Sequence, residues 1–188
     1  AQLSGVPQTP HESPICLGCH ATAAEAESWE KDPLFAMEDG VQCEKCHGPG
    51  SEYSTAEVMS NREAAMKAGL VIPTKEWCLK CHYIKGSHAA VHRLPKLDID
   101  KGMLAIAHPL PEKSVFKKEG EAEYAQPKQG AKYVGSLNCG TCHKRESMGF
   151  QYSLWRLSAH ADAYATLATP RAREIARAEG VQEDPQQV

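Results

Sequence analysis

All eight cysteines of this 188-residue chain fall in one pattern, Cys-x-x-Cys-His, which occurs four times. The copies are CLGCH from Cys16 to His20, CEKCH from Cys43 to His47, CLKCH from Cys78 to His82 and CGTCH from Cys139 to His143. Two thiols three positions apart stand on one face of a short turn, where they can add to the two vinyl groups of one porphyrin. The histidine that follows then reaches the iron from one side. The spacing thus predicts four covalently bound haem c groups. Cys16, Cys19, Cys43, Cys46, Cys78, Cys81, Cys139 and Cys142 are the attachment residues, and His20, His47, His82 and His143 the proximal iron ligands. A Cys-x-x-Cys pair is also half of a zinc site or a redox disulfide, but either reading needs the fifth-position histidine to recur four times by chance.

Five histidines lie outside the motifs: His11, His88, His92, His108 and His160. Neutral imidazole is a good sixth ligand for haem iron. A second imidazole closes the coordination sphere, which suits an electron carrier. Four irons in need of partners make each of the five a candidate metal ligand, against the alternative of a solvent-facing loop histidine. The methionines, Met37, Met59, Met66, Met103 and Met148, mostly sit in helical patterns that suit core packing.

The elements that must position these groups are helical. Ala21–Glu30 is rich in helix formers. Thr55–Gly69 opens on a capping threonine and ends on glycine. From Arg145 to Leu167 apolar residues recur at helical spacing (Met148, Tyr152, Trp155, Ala159). Pro170 and Gly180 bracket a further helix. No segment alternates as a strand. Aromatic residues make up only 6% of the chain, a thin supply for an ordinary core, and bound porphyrins would contribute the missing apolar surface. The expectation is a mainly α fold with long loops and little or no sheet. Residues 1–110 carry three motifs, 111–132 read as a Pro-, Gly- and Lys-rich linker, and 133–188 carry the fourth. A formal charge of −3 offers no basic surplus for nucleic acid. No apolar run reaches the roughly 18 residues of a membrane span.

Three segments resemble the cytochrome c-554 family of tetrahaem electron carriers and its repeat-containing relatives: GVQCEKCHGPGSEY (Gly40–Tyr53), IAHPLP (Ile106–Pro111) and YVGSLNCGTCHKRESMGFQYSLWRLSAHADAYATL (Tyr133–Leu167). The resemblance implies a multihaem cytochrome c fold organised around four stacked haems. It also implies that His108 serves the haem of His47 and that His160 serves the haem of His82. In the family the block that stands here at Tyr133–Leu167 opens the domain; in this chain it comes last. The chain therefore looks like the last three motifs of one domain followed by the start of another. Tyr53 stands where relatives often have a histidine for the first haem of the domain, which leaves the distal side of the His143 haem without an assigned ligand. The haem of His20 corresponds to one that is five-coordinate in the best-known relative.

The expected function is electron transfer by a tetrahaem c-type cytochrome, a carrier rather than an enzyme. It would act alone or within a longer tandem-repeat or head-to-tail polymeric haem chain. The alternative is a multihaem oxidoreductase with one open haem that reduces a small nitrogen or sulfur oxide. Expected partners are redox proteins and other copies of the chain or further cytochrome domains, with no nucleic acid. Covalent haem attachment takes place outside the cytoplasm, so the expected location is periplasmic or extracellular.

Overall fold

A computed structural model describes residues 9–92, 97–109 and 128–181. Most of the expected linker, 111–127, lies outside the described residues. Within them the chain forms ten α-helices of four to nine residues: α1 Pro14–His20, α2 Cys43–His47, α3 Ala56–Met59, α4 Arg62–Lys67, α5 Lys75–Leu79, α6 Gly86–His92, α7 Ile99–Ile106, α8 Ser136–His143, α9 Gln151–Arg156 and α10 Pro170–Ala178. The single isolated β-bridge among the described residues pairs Lys31 with Tyr133. The mainly α, nearly sheet-free class expected from sequence is what the structure has. No helix among the described residues is long and apolar enough to cross a membrane.

Helices this short do not persist on propensity alone, and the polypeptide offers them little core. One apolar cluster joins Leu17, Ala21 and Leu167; another joins Tyr53, Ala65 and Leu70. Large apolar side chains elsewhere stand open, with Leu157 87% and Leu104 78% exposed. A chain with this balance needs further apolar surface to pack on.

What the polypeptide does provide is a polar framework around α2. The Glu44 carboxylate is buried and accepts three backbone N–H groups: Gly50 at 2.7 Å and Val134 at 2.8 Å on Oε1, Gly135 at 2.8 Å on Oε2. Gln42 accepts the Ser136 N–H at 2.8 Å and donates to the Ala36 carbonyl at 2.7 Å. Ser136 Oγ donates to Asp39 at 2.6 Å. These bonds seat the N-terminus of α8, and so the fourth motif, on the loop that enters the second. Lys45 Nζ donates to the carbonyls of Gly18 (2.8 Å) and Ala21 (3.1 Å) and so caps the end of α1. Trp77 Nε1 donates to the Lys45 carbonyl at 2.8 Å and ties in α5. All four motif segments are thereby fixed to one short helix.

Three expected helices come out differently. Ala21–Glu30 is not one helix: only Ser28–Glu30 makes a 3-10 turn. Ala23 takes φ +53°, and Thr22 turns its hydroxyl to the Gly40 carbonyl at 3.1 Å, so tertiary bonds override propensity. Thr55–Gly69 splits into α3 and α4. Thr55 caps the first, and Asn61 caps the second by accepting the Ala64 N–H at 3.0 Å. Arg145–Leu167 is broken where Gly149 (φ +79°) and Phe150 (φ +52°) enter the left-handed region. The Pro170 to Gly180 helix forms, with Thr169 as its N-cap.

Candidate haem-binding site

Each motif is built on a short helical segment. α1, α2 and α8 run through their whole motif to the terminal histidine, while α5 carries Cys78 and hands Cys81 and His82 to the following turn. Residues three apart share a helix face, so the two thiols of the first, second and fourth motifs lie on one face of α1, α2 and α8. No cysteine is in a disulfide. The thiols instead meet in twos across motifs. A hydrogen bond between Cys19 and Cys81 is the first cause that holds Cys19 down to about 6 and pushes Cys81 up. A hydrogen bond between Cys43 and Cys139 likewise lowers Cys43 and raises Cys139. Among the described residues no group of three or more His, Cys, Asp or Glu gathers around one point.

Three motif imidazoles are oriented by their Nδ1. That of His20 donates to the Ala163 carbonyl at 2.9 Å, and that of His47 to the Val71 carbonyl at 2.8 Å. His143 Nδ1 pairs with Gln151 Oε1, and Gln151 Nε2 donates on to the Pro109 carbonyl at 3.3 Å. A carbonyl can only accept, so Nδ1 carries the hydrogen and Nε2 is the unprotonated nitrogen available to a metal. Burial pushes the His47 imidazole down to about 4, and burial also lowers His108 and His160. These rings are neutral at ordinary pH, the form that ligates.

The histidines outside the motifs fall into place as follows. His88 faces His20 with ring centroids 6.5 Å apart. His108 faces His47 at 6.1 Å. His160 faces His82 at 5.8 Å. Two imidazoles on opposite sides of one iron, each with a metal–nitrogen bond of about 2.0–2.1 Å, put their centroids roughly 6.3 Å apart. His11 instead packs on Tyr164 at 5.0 Å. His92 closes α6, and its side chain lies outside the described residues. His160 reaches His82 because its segment is laid on the loop before α2: Val41 N–H donates to the His160 carbonyl at 2.9 Å and Trp155 Nε1 to the Val41 carbonyl at 2.8 Å. Gly40, at φ +72°, permits this approach, since a Cβ there would lie 2.8 Å from the carbonyl oxygens of His160 and Ala161.

His143 has no imidazole opposite it among the described residues. Cys139, Cys142 and His143 open on a cavity of about 320 Å³ whose other wall includes Tyr53, Ala56 and Met59. Tyr53 does not turn its hydroxyl into that space. It donates to the Gly48 carbonyl at 2.6 Å and lies 3.2 Å from the His47 carbonyl, and burial keeps the phenol protonated.

The residues present fit a covalently held haem. Paired thiols, an imidazole with Nε2 free, a second imidazole at trans spacing in three cases and open apolar side chains stand together. Glu44 and Gln151 carry site functions that sequence reasoning missed. The acid inside the second motif, just before Gly-Pro-Gly, was the only signal of the first.

The comparisons agree with the geometry. The family model described as cytochrome c554 and c-prime matches residues 2–48 and 138–188, just over half of the chain. No curated protein and no solved structure matches it. The two matched stretches hold the first and last motifs complete, with the second motif closing the earlier stretch. The chain belongs to the cytochrome c554 and c-prime family, c-type cytochromes that bind haem c covalently and carry electrons.

Proposed function

We propose that the chain is a tetrahaem electron carrier in which the irons of His20, His47 and His82 each hold a second histidine, namely His88, His108 and His160. The carrying observation is that these three pairs all stand at 5.8–6.5 Å, close to the spacing one iron between two imidazoles requires. When bound, each haem supplies a one-electron iron couple. The chain's own residues hold the His20 and His47 rings by Nδ1, leave His47 only partly exposed and leave those three irons no open position. Closed coordination keeps the ligand set constant on reduction and favours transfer over catalysis.

Thiols of different motifs in contact, Cys19 with Cys81 and Cys43 with Cys139, bring the attachment edges of two haem pairs together. This supports passage of electrons from haem to haem along the chain. The His20 haem, the expected open position of the enzyme alternative, has His88 opposite, which favours the carrier reading there. Redox proteins on the periplasmic or extracellular side are the proposed partners. Intact mass and pyridine haemochrome assay of the haem-loaded chain test the count: four haem c per chain are expected, and three or fewer would refute the tetrahaem reading. EPR of the ferric protein tests ligation, with low-spin signals expected from three irons.

A further inference from the structure

We infer that the imidazole opposite His143 comes from a second copy of this chain, and that His11 is the residue that supplies it. The inference rests on the tetrahaem reading above and names the partner that completes its fourth site.

Three observations carry it. First, the histidines divide unevenly. His88, His108 and His160 each face a motif histidine, while among the described residues His143 faces none. His108 is close enough for the charge of His143 to act on it, but its ring is the one opposite His47. His11 is the one described imidazole outside the motifs with no motif ring before it; it rests on Tyr164. Among the described residues each chain therefore has one unpaired iron site and one uncommitted imidazole.

Second, the two lie in different places. His11 precedes α1 and touches the segment whose Ala163 carbonyl holds His20. His143 ends α8 and looks toward the α3 region. A donor at one place and an acceptor at another, on identical chains, define a heterologous contact. Such a contact repeats into a ring or an open filament.

Third, the site of His143 can be reached from outside. Cys142, Arg145, Ala56 and Ser60, which line the cavity, are all exposed. Among the described residues the wall opposite His143 offers no imidazole, and the Tyr53 hydroxyl is held by backbone carbonyls.

The test follows spin state and size together on the intact, haem-loaded chain. Ferric EPR and visible spectra are recorded across a dilution series beside analytical ultracentrifugation, for wild type and for His11→Phe. Phenylalanine keeps a ring against Tyr164 but cannot ligate. The expected result is one high-spin haem in four for the dilute monomer and none for the assembled chain. His11→Phe is expected to keep one high-spin haem at every concentration, and added imidazole to convert it. A monomer with four low-spin haems would overturn the inference, since the ligand would then come from within the chain, for instance Met59. So would a high-spin haem that persists in the assembled wild type, or a His11→Phe chain that converts on assembly as the wild type does. Failure of the tetrahaem reading looks different: it removes a haem from the mass, or adds high-spin signal at the other three sites.

Discussion

Glu44 Oε2 accepts the backbone N–H of Gly135 at 2.8 Å across 91 positions of the chain. The same carboxylate holds Val134 and Gly50 on its other oxygen. One side chain, lodged between the two cysteines of the second motif, thus fixes the entry to the fourth. Burial raises its carboxyl above the usual range, and the three N–H groups act against that rise.

Removing the acceptor leaves buried donors unmet. Glu44→Ala is expected to destabilise the haem-loaded chain by roughly 3–5 kcal/mol. Glu44→Gln, which keeps one oxygen, should cost about 1–2 kcal/mol. Guanidinium unfolding followed at the Soret band measures both. Equal, negligible losses would show that water replaces the carboxylate without cost.

The three facing pairs make separable predictions. His88→Ala should turn the His20 haem high-spin and leave the other three irons as they are in the wild type at the same concentration. His160→Ala should do the same at the His82 haem. Ferric EPR counts the change, one haem for each variant. A variant that stays fully low-spin would remove that histidine from the ligand set.

Gly40 controls the approach of His160. Gly40→Ala places a Cβ against two carbonyl oxygens in a left-handed backbone, a strain of about 1–3 kcal/mol. The expected outcome is lower stability together with a partial high-spin signal at the His82 haem. Lost stability with unchanged spectra would separate the fold from the ligand.

Much of the site was legible in sequence because the chemistry is local. Five residues define a haem attachment, and each motif forms within one or two turns of chain. The partners were not local. Family resemblance paired His108 with His47 and His160 with His82, and those rings do face each other. Nothing in spacing alone marked His88 for His20. Helix boundaries failed where tertiary bonds overruled propensity, at Ala23 and Phe150, whose positive φ no pattern announces. The Glu44 framework was invisible for the same reason: its donors lie in a segment far along the chain.

Gln151 joins two sites, since it accepts from His143 and donates to the carbonyl of Pro109, the residue after His108. An Nδ1–H partner raises the basicity of a ligating imidazole and favours ferric iron. Gln151→Leu should raise the potential of the His143 haem, and Gln151→Glu should lower it. Spectroelectrochemical titration reads both shifts. Shifts of one sign in the two variants would assign Gln151 to packing alone.

The central claim is that one chain holds four haem c groups, three of them closed by the chain's own His88, His108 and His160. Ferric EPR spin quantitation on the intact chain, set against haem content by pyridine haemochrome, tests it most directly. The expected result is four haems per chain, at least three of them low-spin with paired imidazoles at every dilution. Fewer than four haems, or high-spin iron at two or more sites, would contradict it.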